Sequence, residues 1–280
     1  MKARHRLFSG LVAILLAAIG LIAGGAFPAS AHQSGNVKYV ALGDSYAAGQ
    51  GAGNYRNECL QSRNGYPELL DEVKHVNLHR NATCTGATTA DVIADQVSAL
   101  DPRTTLVTLT VGGNDLRVAA IAAACAAGPT VECQTAIAGA VGMLSPQPQL
   151  GGLSILGSRL LSTYSAVAAN APNAEILVTG YPYLFEPPSL DNPNKPTIDA
   201  INAATTTLNQ TIAGAVAGAR AAGIDITFVD VTTAFAGHGI GSADPFINAI
   251  GPDAFHPNAA GYLAYAAALD AFLPQLAGQR

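Results

Sequence analysis

The sequence predicts an α/β fold, with a parallel sheet between two layers of helices. Short apolar runs rich in Val, Ile, Leu and Thr alternate with longer stretches that carry helical patterns. The chain has 280 residues, of which 49% are hydrophobic and 12% charged, a composition typical of globular proteins. Because no repeat, charge run or linker divides the chain, we expect one domain, residues 32–280, behind an N-terminal signal, residues 1–31.

The order of these segments gives the topology. We predict five strands, at residues 37–42, 75–83, 104–111, 174–180 and 225–231. We predict helices at residues 67–74, 88–100, 116–127, 149–170, 197–222 and 258–273. Alternating strands and helices form right-handed βαβ units, which build a three-layer α/β/α sandwich. Ligands of open sheets bind outside the carboxyl ends of the strands, so we expect the chemistry there.

The first thirty-one residues have the features of a secretory signal peptide. Three cationic residues within the first six positions precede an apolar run (11–23), and the segment ends at Ala29-Ser30-Ala31. We therefore expect a secreted, extracellular protein. An uncleaved membrane anchor is the alternative, since the apolar stretch extends to Phe27, although the run is short for a spanning helix of about 20 residues. Cleavage removes three cations from a chain of formal charge −5, and an acidic surface argues against nucleic acid as a partner.

Four cysteines lie in the mature part of the chain, at Cys59, Cys84, Cys125 and Cys133. An even number of cysteines in an exported protein predicts disulfides, and four allow three pairings. Sequential pairing closes loops of 25 and 8 residues, each bridge contributing roughly 2.5–3.5 kcal/mol to stability. A zinc site is disfavoured because no Cys-x-x-Cys occurs. His75 and His79 have ligand-like spacing for a helix but fall in a predicted strand, so no metal or cofactor is expected.

Four short polar motifs stand at the predicted sheet edge. Gly-Asp-Ser-Tyr (43–46), Cys-Thr-Gly-Ala-Thr-Thr (84–89) and Gly-Gly-Asn-Asp (112–115) follow the first three strands, and Asp-Ala-Phe-His-Pro-Asn (253–258) precedes the last helix. They supply a hydroxyl nucleophile, glycine backbone donors, an amide donor, and a histidine with a nearby carboxylate. These groups are the components of acyl transfer through a serine ester.

The four motifs, in this order, resemble the SGNH or GDSL-type hydrolases over essentially the whole mature chain, and most closely the secreted actinobacterial lipases and esterases. The resemblance implies a flavodoxin-like sheet of five parallel strands, and a monomer not inserted in a membrane after signal cleavage. It also implies a metal-independent esterase acting on small-molecule or lipid esters, such as acyl glycerides or short to medium acyl esters. A polysaccharide or other O-acetyl esterase, a thioesterase, and a non-catalytic exported binding module are the alternatives.

The resemblance assigns the reaction to three side chains. Ser45 is the expected nucleophile and His256 the base that activates it, with an ordinary pKa of about 6.5 suited to proton transfer near neutrality. Asp253 is expected to bond the other imidazole nitrogen, although some relatives use a backbone carbonyl instead. Asp230 and Asp270 are the fallback carboxylates.

Three donors are expected to stabilise the oxyanion. These are the backbone N–H groups of Ser45 and Gly86 and the side-chain amide of Asn114. Ordinary turn chemistry is the alternative explanation for Gly86 and Asn114. Asp44 and Asp115 are expected to fix loops or cap helices without touching the substrate.

Other segments bear on these expectations. Gly49-Gln50-Gly51-Ala52-Gly53 resembles a phosphate-binding loop but lacks the following helix pattern. Gly-x-Ser-x-Gly is absent around Ser45, which disfavours the α/β-hydrolase superfold.

We expect the proline-rich stretch 181–196 to form a surface loop that borders the site. Relatives commonly carry a third disulfide late in the chain, where this sequence has residues 238–242 and no cysteine. Apolar residues at Phe246, Ile247 and Ile250 favour lipid-type esters.

Overall fold

The centre of the structure is a five-stranded parallel sheet. The computed structural model describes residues 36–125 and 130–273, which belong to one compact unit, Ser34–Arg280. The strands are β1 (Val37–Gly43), β2 (Val76–Asn81), β3 (Leu106–Thr110), β4 (Glu175–Thr179) and β5 (Ile226–Val229). Their order across the sheet is β2-β1-β3-β4-β5, with every pairing parallel. The predicted fold class and all five predicted strands are confirmed.

Helices cover both faces of this sheet. They are α1 (Ser45–Ala48), α2 (Tyr66–Asp71), α3 (Thr89–Asp91), α4 (Val118–Cys125), α5 (Val131–Leu144), α6 (Ile155–Asn170), α7 (Lys195–Ala221) and α8 (Ala259–Asp270). Helix α2 packs against α8, whereas α6 packs against both α3 and α7, so the helices form two separate layers. All six predicted helices are present; the prediction missed α5 and the single turn of α1.

Two expectations concern the ends of the chain and its surface. The predicted signal peptide, residues 1–31, lies outside the described residues. Within residues 36–125 and 130–273, no helix is both long and apolar enough to span a bilayer. The proline-rich stretch is irregular up to residue 194, as predicted, and α7 begins immediately after it.

The inner strands are buried because helices cover them on both faces. All five residues of β3 are buried, and β1 is almost entirely so. Several threonine and tyrosine hydroxyls in this core are paired: the Thr110 hydroxyl lies 2.9 Å from the Tyr66 hydroxyl and 2.6 Å from that of Thr179. The Tyr265 hydroxyl lies 3.1 Å from the Thr179 hydroxyl. These bonds satisfy buried hydroxyl groups directly beneath the carboxyl edge of the sheet.

The end of β1 requires a glycine and a glutamine. Gly43 has a φ of +129°, and a Cβ there would lie 2.2 Å from the Thr110 carbonyl oxygen, so no other residue fits. Gln96, at the end of a π-helical turn (Val92–Gln96), accepts a hydrogen bond from the Gly43 N–H at 2.7 Å and donates to its carbonyl at 2.9 Å. Gln96 is buried and therefore fixes the chain just before Ser45.

Replacing Gln96 with methionine should destabilise the protein by about 1–3 kcal/mol, because the buried Gly43 N–H loses its acceptor while the volume is conserved. The measurement is the free energy of unfolding in urea. Gln210→Met, at an exposed glutamine on α7, is the matched control and should change stability by less than about 0.5 kcal/mol. Equal effects of the two variants would show that the bond to Gly43 is dispensable.

Candidate active site

Ser45 lies at the carboxyl edge of the sheet, immediately after β1. It is the first residue of α1, and the preceding Asp44 caps this helix by accepting a hydrogen bond from the Tyr46 N–H at 3.0 Å. The capping role predicted for Asp44 is confirmed. Helix α1 ends after one turn at Gly49, which has a φ of +91°. Ser45 is thereby presented on a short turn with only 7% of its surface exposed.

The structure brings Ser45 and His256 together from positions 211 residues apart. The Ser45 Oγ lies 2.8 Å from the His256 Nε2, which is hydrogen-bonding distance. Burial lowers the pKa of His256 below its usual 6.5, and this desolvation outweighs the opposing contributions from Ala254 and Asp253. The imidazole is therefore mostly neutral near pH 7 and available as a proton acceptor.

The structure corrects the partner predicted for the second nitrogen of the imidazole. The His256 Nδ1 lies 3.1 Å from the carbonyl oxygen of Ala254, in the place expected for Asp253. The carboxylate of Asp253 instead accepts hydrogen bonds from the Tyr55 hydroxyl at 2.8 Å and the Gln50 amide at 3.4 Å. These two donors hold the Asp253 side chain away from the imidazole, and the turn directs a carbonyl to Nδ1.

The fallback carboxylates have other positions. Asp230 accepts hydrogen bonds from the backbone N–H and the hydroxyl of Thr232, at 2.9 and 2.7 Å. Asp270 is the last residue of α8. Both therefore lie on elements other than the turn that carries His256.

The turn that carries His256 is fixed by three neighbouring elements. Phe255 adopts the left-handed conformation, with a φ of +68°, and its carbonyl accepts a hydrogen bond from the Tyr46 hydroxyl at 2.5 Å. The Asn248 amide donates to the carbonyl of His256 at 3.1 Å. Gly51 lies so close that a Cβ there would be 2.2 Å from the Pro257 carbonyl oxygen. The glycine-rich segment therefore supports the turn that carries His256.

Residues 238–246, in the region where relatives commonly carry a third disulfide, are joined by a contact between two rings. The imidazole of His238 stacks on the ring of Phe246, with centroids 3.7 Å apart and planes 4° from parallel. The Phe246 N–H also donates to the His238 carbonyl at 2.7 Å, and the Phe246 carbonyl accepts the Asn258 N–H at 2.8 Å. These contacts connect the loop to the residues that follow His256.

Two of the three predicted oxyanion donors, Gly86 and Asn114, lie on loops that contact each other. The Asn114 side-chain amide donates to the Ala87 carbonyl at 3.0 Å, which leaves its second N–H available, since a primary amide has two. Gly86 has a φ of +80°, and nothing lies within 4 Å of a Cβ placed on it, so the side on which a side chain would project is open. Asp115 accepts bonds from the Thr89 N–H at 2.9 Å and hydroxyl at 2.6 Å, which joins the same two loops and confirms its loop-fixing role.

Sequence reasoning missed Tyr181, which joins two parts of the site. Its hydroxyl donates to the Asp44 carboxylate at 2.6 Å and accepts the Gly113 N–H at 2.9 Å. Burial raises the pKa of Asp44 to about 7 despite these hydrogen bonds. The available signal was position, because Tyr181 follows β4 by two residues and thus stands at the carboxyl edge of the sheet.

The loop that carries Gly86 is anchored by a disulfide. Cys59 and Cys84 are bonded, as sequential pairing predicts, and the Thr85 N–H donates to the Cys59 carbonyl at 3.1 Å. Cys133 is also disulfide-bonded, but the side chain of Cys125, its predicted partner, lies outside the described residues. The first bridge therefore lies two residues from an expected oxyanion donor.

The pKa of His256 predicts the acid side of the activity profile. Only the neutral imidazole accepts a proton, so kcat/KM should fall as pH decreases, with a midpoint below 6.5. The measurement is kcat/KM for a short ester between pH 4 and 8, with circular dichroism confirming that the fold persists. The temperature dependence of the midpoint distinguishes an imidazole from the carboxyl group of Asp44. A midpoint above 6.5, or a flat profile to about pH 4, would contradict this prediction.

The two bridges should differ in their effect on turnover. Cys59→Ser/Cys84→Ser should lower stability by roughly 3.5 kcal/mol and turnover by as much as about 100-fold, because the Gly86 donor loses its anchor. Cys125→Ser/Cys133→Ser should mainly lower the melting temperature. Peptide mapping of the oxidised protein, followed by kinetics and thermal melts, tests both statements. Unchanged turnover of the first double variant, at a temperature where it remains folded, would refute the role of that bridge.

Comparisons with known proteins agree with this geometry. Residues 41–264 match the GDSL-like Lipase/Acylhydrolase family. Lipase 1 of Streptomyces coelicolor is 33% identical to this chain over 266 residues, which cover 92% of this chain and 94% of the relative. A lipase of Streptomyces rimosus is 33% identical over 270 residues, which cover 93% of this chain and 95% of that lipase.

Solved structures show the same relationship. The extracellular lipase of Streptomyces rimosus superposes with a TM-score of 0.73, and phospholipase A1 of Streptomyces albidoflavus NA297 with a TM-score of 0.74. Each is 32% identical to this chain and matches 84% of it and 99% of the solved chain. Sequence, fold and site geometry together place this chain in the GDSL-like lipase/acylhydrolase family, as a carboxylic ester hydrolase.

Proposed function

We propose that the protein hydrolyses esters through a covalent acyl-enzyme on Ser45. The observation that carries this proposal is the 2.8 Å contact between the Ser45 Oγ and the His256 Nε2. A serine hydroxyl is a weak nucleophile unless a base removes its proton, and His256 lies within reach and is mostly neutral. The pair therefore has the geometry and the protonation state that acyl transfer requires.

In the acylation step, Ser45 Oγ attacks the ester carbonyl carbon as His256 takes its proton. The carbonyl oxygen becomes an oxyanion, which accepts hydrogen bonds from the Ser45 and Gly86 backbone N–H groups and the Asn114 amide. The tetrahedral intermediate collapses when His256 returns its proton to the leaving alkoxide, and the alcohol departs. Water then attacks the acyl-enzyme by the same route and releases the carboxylic acid and free Ser45.

The carbonyl of Ala254 orients the base in this scheme. By accepting the Nδ1–H at 3.1 Å, it leaves the lone pair of Nε2 pointing at Ser45. Asp253 contributes from a greater distance, since its negative charge favours the imidazolium that forms transiently. We therefore treat Ser45 and His256 as the catalytic pair and Asp253 as a positioning residue.

We infer that the substrates are lipid-type esters and that the protein acts outside the cell. Support for the substrate class comes from similar proteins described as lipases and a phospholipase A1. Exposed apolar side chains near the catalytic turn, Ile250 at 86% and Phe255 at 40%, are suited to an apolar substrate. Export is supported by the signal-like N terminus and by a similar lipase described as extracellular.

Substitution of the catalytic pair tests the proposal directly. Ser45→Ala and His256→Ala should each reduce kcat by at least about 1,000-fold, because each removes a component that the other needs. Labelling with a serine-directed phosphonate should modify Ser45 in the wild-type protein and leave Ser45→Ala unmodified. Near-wild-type rates for Ser45→Ala would falsify the mechanism, and wild-type protein without turnover or adduct would favour a binding module.

Asp253→Asn should reduce kcat less than either of those substitutions, because the Ala254 carbonyl continues to hold the imidazole. Its acid-side midpoint should also shift to lower pH, since the charge that favours the imidazolium is removed. Asp230→Asn, which lies on a different loop, is the control for removing one negative charge. A loss as large as that of His256→Ala would restore Asp253 to the direct role that the sequence predicted.

A further inference from the structure

A single glutamine contacts the three segments that carry the proposed reacting groups. Gln50 lies in the glycine-rich segment after α1, and its backbone N–H donates to the carbonyl of Ser45 at 3.0 Å. Its side-chain oxygen accepts a hydrogen bond from the Thr85 hydroxyl at 2.6 Å, and its side-chain nitrogen donates to the Asp253 carboxylate at 3.4 Å. One residue therefore joins the nucleophile's helix, the loop of an expected oxyanion donor and the turn of the base.

The burial of this side chain shows that its two hydrogen bonds matter. Gln50 is only 8% exposed, and a buried amide is costly unless its donor and its acceptor are both paired. Its partners lie 35 and 203 residues away in the sequence. The backbone is held separately, since the hydroxyl of the fully buried Tyr262 donates to the Gln50 carbonyl at 2.9 Å. The side chain thus extends from a fixed backbone to two distant loops.

The loop of the oxyanion donor depends on such contacts because the donor itself is a glycine. Glycine adopts more backbone conformations than other residues, so neighbouring residues must determine the direction of the Gly86 N–H. On one side, the Cys84 N–H donates to the Gly43 carbonyl at 3.0 Å and holds the start of the loop against β1. The next residue, Thr85, directly precedes Gly86, and its hydroxyl is held by Gln50.

We propose that Gln50 is a positioning residue for ester hydrolysis, which fixes the Gly86 donor relative to Ser45 and the turn of His256. This inference rests on the function proposed above. An oxyanion donor is effective only within about 2.7–3.1 Å of the developing charge, and a misplacement of about 1 Å can cost roughly 100-fold in rate. Loss of the bond between Gln50 and Thr85 therefore lowers turnover without weakening the binding of substrate.

Two substitutions remove this bond from opposite ends. Gln50→Met keeps the length of the side chain and removes both of its hydrogen bonds, whereas Thr85→Val keeps the shape and removes one hydroxyl. With p-nitrophenyl acetate, each should lower kcat by about 10- to 100-fold and leave KM within about threefold, since the donor acts in the transition state. Because both remove the same bond, the double variant should lose no more than about threefold beyond Gln50→Met.

Two further measurements separate this role from others. Thr104→Val, before the amino end of β3, removes a buried hydroxyl that accepts the Asp101 N–H at 3.2 Å, and should leave kcat within about twofold. The acid-side midpoint of kcat/KM for Gln50→Met should stay within about half a pH unit of wild type. The reason is that Asp253 keeps its hydrogen bond from the Tyr55 hydroxyl at 2.8 Å.

Each other outcome contradicts a definite statement. Wild-type kcat for Gln50→Met, at a temperature where melting curves show it folded, would overturn the proposal. So would losses that add in the double variant, a loss for Thr104→Val as large as for Thr85→Val, or a larger shift of the midpoint, which would place the effect on the base. If Gln50→Met does not fold, Thr85→Val decides alone. Absence of turnover in the wild-type protein, measured first, would instead refute the proposed function.

Discussion

The arrangement of the site depends on the buried carboxylate of Asp44. It is 1% exposed, and it accepts one hydrogen bond from the Tyr46 N–H and one from the Tyr181 hydroxyl. Tyr181 in turn accepts the Gly113 N–H, so one carboxylate connects α1, the end of β4 and the loop that carries Asn114. Burial of a charge is costly even with such partners, as the raised pKa of Asp44 shows. In return, Ser45 and Asn114 are held in fixed relative positions.

The partner of His256 has consequences for the strength of the base. A carbonyl oxygen orients an imidazole by accepting the Nδ1–H, as a carboxylate does, but it carries only a partial charge. With Ala254 in this position and Asp253 farther away, desolvation dominates and the pKa of His256 is lowered. The base in the proposed mechanism is therefore weaker than one paired directly with a carboxylate, and it stays neutral at lower pH. The contacts of Tyr46 and Asn248 with the turn maintain this geometry.

The fold was predictable because the strands of a parallel sheet are buried on both faces. Each strand is therefore a short apolar run, and all five runs could be recognised within a few residues of their ends. Helix α5 was missed for the opposite reason: it lies at the surface with Val131 and Val141 exposed, and Gly139 and Gly142 interrupt its pattern. A helix that packs weakly against the core lacks the amphipathic period on which prediction depends.

The site was predictable as far as its chemistry depends on side-chain type. Ser45, His256 and Asn114 could be proposed from the sequence because few residues supply a nucleophile, a base or a neutral amide donor. The bond from Ala254 could not, since every residue has a carbonyl, and its direction depends on the positive φ of Phe255. Gln96 and Tyr181 were missed because they act on backbone groups of distant loops. Since any residue at position 254 can supply this carbonyl, the motif requires His256 and the shape of its turn more than a carboxylate at position 253.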